Sequence, residues 1–137
     1  MTYIDTTVVL AHVLAEDRQP PTALWDDVLV ASEFVEYETW VRLNRLGLTD
    51  SHREVAEATL GRLRFVAMAP EVLARARDPF LVPVRTLDAL HLATAVYLAG
   101  MGDVAMATYD DRLGAAASAL GLGRYPLSDL DVSTPGR

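Results

Sequence analysis

Four acidic residues, far apart in the chain, stand where a polypeptide presents chemistry rather than bulk. Asp5 closes the short apolar run MTYI, and Glu38 follows Ser32 into a stretch of helical spacing. Asp88 interrupts the otherwise apolar segment RTLDALHLATA, and Asp110 closes VAMATYD. Ionised carboxylates amid so much apolar sequence are costly unless positive charge compensates them. The chain has no cysteine, and its three histidines show no repeated spacing, so a thiolate or zinc site is poorly supported. Oxygen donors alone suit a hard divalent cation, Mg²⁺ or Mn²⁺. The chemistry to expect is metal-dependent phosphoryl transfer.

Each position also has a structural explanation. Asp5 stands before Thr6 and Thr7 at a helix start, where capping alone selects Asp. Glu33, Glu36 and Glu38 share one helical stretch, and Glu33 is accounted for by the helix dipole. Glu38 lies four residues after Phe34 and three before Val41, among apolar neighbours. Glu36 is about 160° away around the helix, so one face does not serve both. Trp40 and Leu43 beside Glu36 keep that choice open on local grounds. Asp88 shares a helix side with His91, Leu92 and Ala95, and a first-turn Asp is also what the dipole favours. His91 reads as a buried, hydrogen-bonded histidine rather than a ligand. Of Asp110 and Asp111, one is expected at the site and the other as a cap. Thr108 stands two residues before Asp110, where its hydroxyl could orient a carboxylate or a water.

The elements that must position these residues alternate between strand and helix. Residues 2–5 read as a strand and Thr6–Ala15 as a helix, with DRQPP as a turn. A short helical stretch at Thr22–Val28 leads to a strand at Leu29–Ala31. Ser32 is the expected N-cap of a helix to Leu46, stopped by Gly47. Asp50 or Ser51 caps the next, to about Leu63, followed by a strand at Arg64–Met68. Pro70 opens a helix at its first position, and DPFLVPV is a loop. Thr86 caps a helix to Ala99, closed by Gly100. Val104–Tyr109 is a strand, Asp111–Leu120 a helix ended by Gly121, and Tyr125–Leu127 a last short strand. Such alternation implies an α/β sandwich around a mainly parallel sheet. Asp5 and Asp110 fall at carboxyl ends of strands, where open parallel sheets bind ligands.

The 137 residues suffice for one domain with a real core, and the tail from about residue 130, including STPGR, is expected to fray. Apolar runs are broken by charge before the roughly 18 residues a membrane span needs, and no secretory signal opens the chain. Absence of cysteine fits a reducing, cytoplasmic setting. The net charge of −7 argues against a nucleic-acid partner, but two divalent ions held by the carboxylates would offset more than half of it. All twelve Lys-or-Arg residues are Arg. Arginine suits bidentate phosphate contacts, although base composition of the genome explains the bias as well.

Taken together, YIDTTVVL, SEFVEYE, RTLDALHLATA and ATYDDRLGAAASALGL resemble the four blocks of a PIN-domain ribonuclease of the VapC toxin type, across nearly the whole chain. The third and fourth blocks are specific in combination. The resemblance implies a PIN-like α/β/α sandwich and an acidic quartet of Asp5, Glu38, Asp88 and Asp110, with Thr108 in support. The spacing from the Ser of the second block selects Glu38 over Glu36, and the T-x-D of the fourth selects Asp110 over Asp111. It further implies Mg²⁺ or Mn²⁺ held directly by Asp5 and Asp88, and directly or through water by Glu38 and Asp110. The implied substrate is structured RNA, and the implied partners are a second copy of the chain and a small cognate antitoxin. That antitoxin is expected to set an Arg or Lys at the carboxylates and to lie in a groove lined by residues such as Trp25, Phe34 or Trp40, which are otherwise core. Aspartyl-phosphate enzymes share the acidic strand end, but they use a Lys that this chain lacks, and haloacid-dehalogenase phosphatases want an Asp where it has Thr7. A housekeeping PIN nuclease, or a non-catalytic PIN-like module binding RNA or protein, would be the competing reading of the same four blocks.

Overall fold

The runs Thr2–Ile4 (β1) and Leu29–Ser32 (β2) are buried along their whole length, which requires cover on both faces of the sheet they form. The computed structural model describes residues 1–128. Three further strands, β3 (Arg64–Val66), β4 (Ala105–Ala107) and β5 (Gly123–Arg124), complete a five-stranded sheet in the order β3-β2-β1-β4-β5. Every pairing is parallel. Cover comes from six α-helices: α1 (Thr6–Val13), α2 (Phe34–Arg45), α3 (Thr49–Leu60), α4 (Pro70–Arg77), α5 (Thr86–Ala99) and α6 (Asp111–Ala119). The period-two alternation of strand side chains divides the core. Ile4, Leu29, Ala31 and Ala107 pack with α1, α2 and α3, whereas Tyr3, Val30 and Met106 pack with α5 and α6. Helix α4 lies along α5. The result is an α/β/α sandwich of the PIN-like kind.

Strand order fixes where a ligand can sit. From β1 the chain crosses through α1 to β2 on one side, and from β4 it crosses through α6 to β5 on the other. Crossovers of one hand that travel in opposite directions place their helices on opposite faces. A crevice therefore opens outside the carboxyl ends of β1 and β4, the topological switch point of the sheet.

Local departures from the sequence reading have physical causes. Ser32 is not a helix cap. It ends β2, its N–H donates to the Tyr3 hydroxyl at 3.2 Å, and the next N–H, of Glu33, still reaches Val66 O at 2.9 Å. The ladder thus runs one residue further and α2 starts after Glu33 without a side-chain cap. Helix α3 starts at Thr49, ahead of Asp50 and Ser51, because Gly47 turns the chain at φ +70° and the connection consists of Leu46, Gly47 and Leu48. Gly47 and Gly121 hold the left-handed conformation that ends a helix, as their positions suggest. Thr86 is the first residue of α5, and the extended Arg85 precedes it in the cap position. The stretch at Thr22–Asp26 is a 3₁₀ helix. The last strand is Gly123–Arg124, and the Tyr125 N–H extends its ladder to Met106 O at 2.9 Å. The expected frayed tail, with STPGR, lies outside the described residues. Among those residues no helix is long and apolar enough to cross a membrane.

Candidate active site

Register brings the first two site residues together. Ile4 pairs with Ala107, so Asp5 emerges from β1 beside Thr108 emerging from β4. The Thr108 hydroxyl donates to Asp5 Oδ2 at 2.6 Å and accepts the Asp110 N–H at 2.9 Å. On its other oxygen Asp5 accepts the Thr7 hydroxyl at 2.6 Å and, as N-cap of α1, the Val8 N–H at 3.4 Å. Thr7 in turn accepts the Tyr109 N–H at 3.0 Å. Two threonines thereby bolt the carboxyl ends of neighbouring strands around one carboxylate. Asp5 is 2 % exposed, and burial pushes its carboxyl up to about 6 against the opposing pull of these hydrogen bonds, with the Asp110 charge adding to the rise.

Asp110 both caps α6 and faces the crevice. Its Oδ1 accepts the N–H groups of Arg112 at 2.9 Å and Leu113 at 3.3 Å. The expectation that one of Asp110 and Asp111 serves the site while the other caps is corrected: the two oxygens of Asp110 are divided between the helix and the cleft. Glu38 arrives from the second turn of α2, and its Oε1 accepts the Thr6 hydroxyl at 2.6 Å. Burial raises its pKa, with the Thr6 hydrogen bond opposing and Asp88 adding to the rise. Glu36 is exposed and lines a separate surface hollow with Tyr37, Phe65 and Met68. Glu33 does more than complement a dipole, since its Oε1 accepts the Met68 N–H at 2.9 Å.

Asp88, in the first turn of α5, is 7 % exposed. Among the described residues its carboxylate accepts one hydrogen bond, from Arg85 Nε at 3.1 Å. The same guanidinium reaches Asp110 Oδ2 through a terminal nitrogen at 2.8 Å. Sequence reasoning misses Arg85, although its position three residues before Asp88, at the head of the same helix, is a pairing distance. It also misses Thr6 and Thr7, whose hydroxyls hold Glu38 and Asp5; the signal is a Thr-Thr pair directly after an Asp.

His91 is the buried, hydrogen-bonded histidine expected. Its Nδ1 lies 2.7 Å from the Tyr3 hydroxyl, and burial lowers its pKa to about 3, so the ring is neutral. The Ser32 N–H already points at the phenol oxygen. We therefore direct the phenol proton to Nδ1 and assign the ring proton to Nε2, which lies 4.0 Å from Glu38 Oε1. Phe34, 6 % exposed, packs its ring on His91 with centroids 4.5 Å apart and also lines the surface hollow beside Glu36. Trp25 and Trp40 are partly buried against the core.

All four carboxylates line one cleft of about 420 Å³, with Thr6, Thr7, Arg85, Thr86, Leu87 and His91. The N-termini of α1, α5 and α6 converge there, which favours anions. Among the described residues no three His, Cys, Asp or Glu side chains converge closely enough to ligate one ion. The donors nonetheless fit a hard divalent cation in kind: carboxylate and hydroxyl oxygens only, with Glu38 and Asp5 held in place by hydroxyls. Mg²⁺ commonly takes one or two protein carboxylates and keeps its remaining waters, so an open cleft of this composition suffices. A larger groove of about 1160 Å³ lies between α4, α5 and the loop joining them; it includes Arg85 and Thr86 but none of the four acids.

A family model described as PIN domain matches residues 2–119, a span that contains all four carboxylates and Thr108. No curated protein matches the chain at a significant level.

Proposed function

The chain belongs to the PIN domain family, whose members are generally metal-dependent nucleases, and from that premise we propose that it is a single-domain endoribonuclease acting as the toxin of a toxin–antitoxin pair. The observation that supports this most is the meeting of Asp5, Glu38, Asp88 and Asp110, from four separate segments, in one cleft at the switch point of the sheet. Asp5 and Asp88 would hold a Mg²⁺ or Mn²⁺ ion, with Glu38 and Asp110 bound directly or through water. When bound, such an ion supplies Lewis-acid activation of water and neutralisation of phosphate charge.

The protein's own groups do the rest. Thr108 and Thr7 fix the Asp5 carboxylate, so that its oxygens need no reorganisation on loading. Thr6 fixes Glu38, and the neutral His91, its Nε2 4.0 Å from Glu38 Oε1, adds no competing positive charge. Helix N-termini at the cleft favour the phosphodiester. Three of the four carboxylates sit on those same N-termini, Asp5 and Asp110 as caps and Asp88 in a first turn, so a phosphate is drawn to the cleft only once the acids are neutralised. This arrangement makes cleavage conditional on the cation.

The toxin role rests on the family resemblance of the four blocks, and so do the antitoxin, the second copy in a dimer and the cytoplasmic setting. Its test is physiological. Expression of the chain in a bacterial host should arrest growth, Asp88→Asn should abolish the arrest, and co-expression of the gene encoded beside it should restore growth. A harmless chain that still cleaves RNA when purified would replace the toxin by a housekeeping nuclease.

A further inference from the structure

Arg85 is the one residue of the cleft whose position conflicts with the chemistry proposed for it. Its guanidinium spans Asp88 Oδ2 at 3.1 Å and Asp110 Oδ2 at 2.8 Å. Asp110 Oδ2 is the oxygen Asp110 has left for a divalent ion, since its Oδ1 caps α6, and Asp88, a proposed direct ligand, has one of its two oxygens taken by the same guanidinium. The partners differ sharply in exposure. The Arg85 side chain is 61 % exposed, whereas those of Asp88 and Asp110 are 10 % and 23 % exposed. A nearly buried carboxylate therefore has its compensating charge on the solvent side, on an arm whose departure costs little desolvation. Arg85 also stands outside α5, in extended backbone after the loop that follows α4, so its side chain is not packed into a helix face. A guanidinium is built for planar, two-pronged contact with carboxylate or phosphate alike.

Building on the nuclease reading, we propose that Arg85 is a displaceable cation. It bridges Asp88 and Asp110 while no divalent ion is bound, and once an ion takes those oxygens the freed guanidinium contacts a phosphate of the bound RNA strand. Charge balance follows at each stage. The bridge offsets a cluster of carboxylates that would otherwise repel, the incoming cation replaces it, and the released positive charge becomes available as the anionic substrate arrives. The arm swings where the acidic cleft meets the larger groove, since Arg85 and Thr86 line both.

The test compares the full chain with Arg85→Gln and Arg85→Lys. Mn²⁺ binding, followed by the electron paramagnetic resonance of the free ion, should tighten in Arg85→Gln by about threefold to tenfold, the size expected of screened surface ion pairs. Arg85→Lys keeps the charge but not the fork, and should fall on the Gln side of wild type. Linkage requires that the metal-free Gln variant melt below wild type and that saturating Mn²⁺ narrow the gap. On wild type itself, the ¹⁵N resonance of the Arg85 Nε–H should be visible without metal, vanish or shift with saturating Mg²⁺, and change again when a 2′-O-methyl RNA oligonucleotide is added. Equal Mn²⁺ affinity in wild type and Arg85→Gln, a Lys variant identical to wild type, or a resonance indifferent to saturating Mg²⁺ would overturn displacement. A resonance that responds to Mg²⁺ but not to the oligonucleotide would overturn the phosphate contact. Failure of wild type to bind Mn²⁺ at all would sink the metal-dependent reading beneath both.

Discussion

Asp5 carries the largest resolved carboxylate perturbation at the site, and its sign makes a prediction. Burial raises its pKa from 3.8 to about 6, so between those values the folded chain holds a proton that the unfolded chain has released. Folding is then favoured by protons, and the metal-free protein loses stability as pH rises from about 4 to about 6. Above that window the Asp5 share of the loss is complete, on the order of 3 kcal/mol. Metal-free Asp5→Asn should accordingly unfold at higher temperature than wild type at pH 7.5, with the advantage shrinking towards pH 4. An advantage of the same size at both values would contradict the burial account. Glu38 and Glu36 give a second test at this scale. Glu38, held by Thr6 inside the cleft, should lose nearly all turnover on change to Gln, whereas the exposed Glu36 should keep a substantial fraction. Reversal of that order in a single-turnover cleavage assay would show that the wrong helical face had been assigned to the chemistry.

At the scale of elements, the helices present the acids and the strand register aligns them. Gly47, at φ +70° with open space around its missing side chain, isolates the backbone contribution of the turn that ends α2. Gly47→Ala should lower stability by about 1–2 kcal/mol from the left-handed conformation alone, measured by urea unfolding, and leave Mn²⁺ affinity untouched because Glu38 sits turns away. Asp5, Asp88 and Asp110 stand out in the sequence because each lies beside apolar residues at the edge of a predictable element, whereas Glu38 over Glu36, and Asp110 over Asp111, rest on the family resemblance. Boundaries of the first four strands hold to within a residue or two, whereas the last strand, expected at Tyr125–Leu127, lies at Gly123–Arg124. What is not legible depends on contacts between elements. The double role of Asp110 needs the Arg85 arm, which comes from the extended residue before α5, 25 positions away in the chain. The failure of Ser32 as a cap needs Tyr3 and Val66 from neighbouring strands. The order of strands, and with it the meeting of Asp5 with Thr108, follows from pairing across about a hundred residues of chain, on which local periodicity is silent.

At the scale of the whole molecule, a chain of net charge −7 acting on a polyanion must confine attraction to one place. The cleft meets that demand if cations and helix N-termini concentrate there, and the remaining acidic surface then limits how many phosphates are neutralised. Binding of an uncleavable single-stranded RNA should therefore depend only weakly on salt, with a log–log slope of about −2 or shallower; a slope several times steeper would point to an extended basic track instead. Catalysis of the kind proposed requires the carboxylates to act through a divalent cation. Its most direct test is RNA cleavage by the purified chain with Mg²⁺ or Mn²⁺, before and after chelation, alongside Asp88→Asn. Cleavage should require the ion, stop on chelation, resume when the ion is restored in excess, and be absent from the Asn variant. Full cleavage by wild type in excess chelator, or by Asp88→Asn with the ion present, would contradict it.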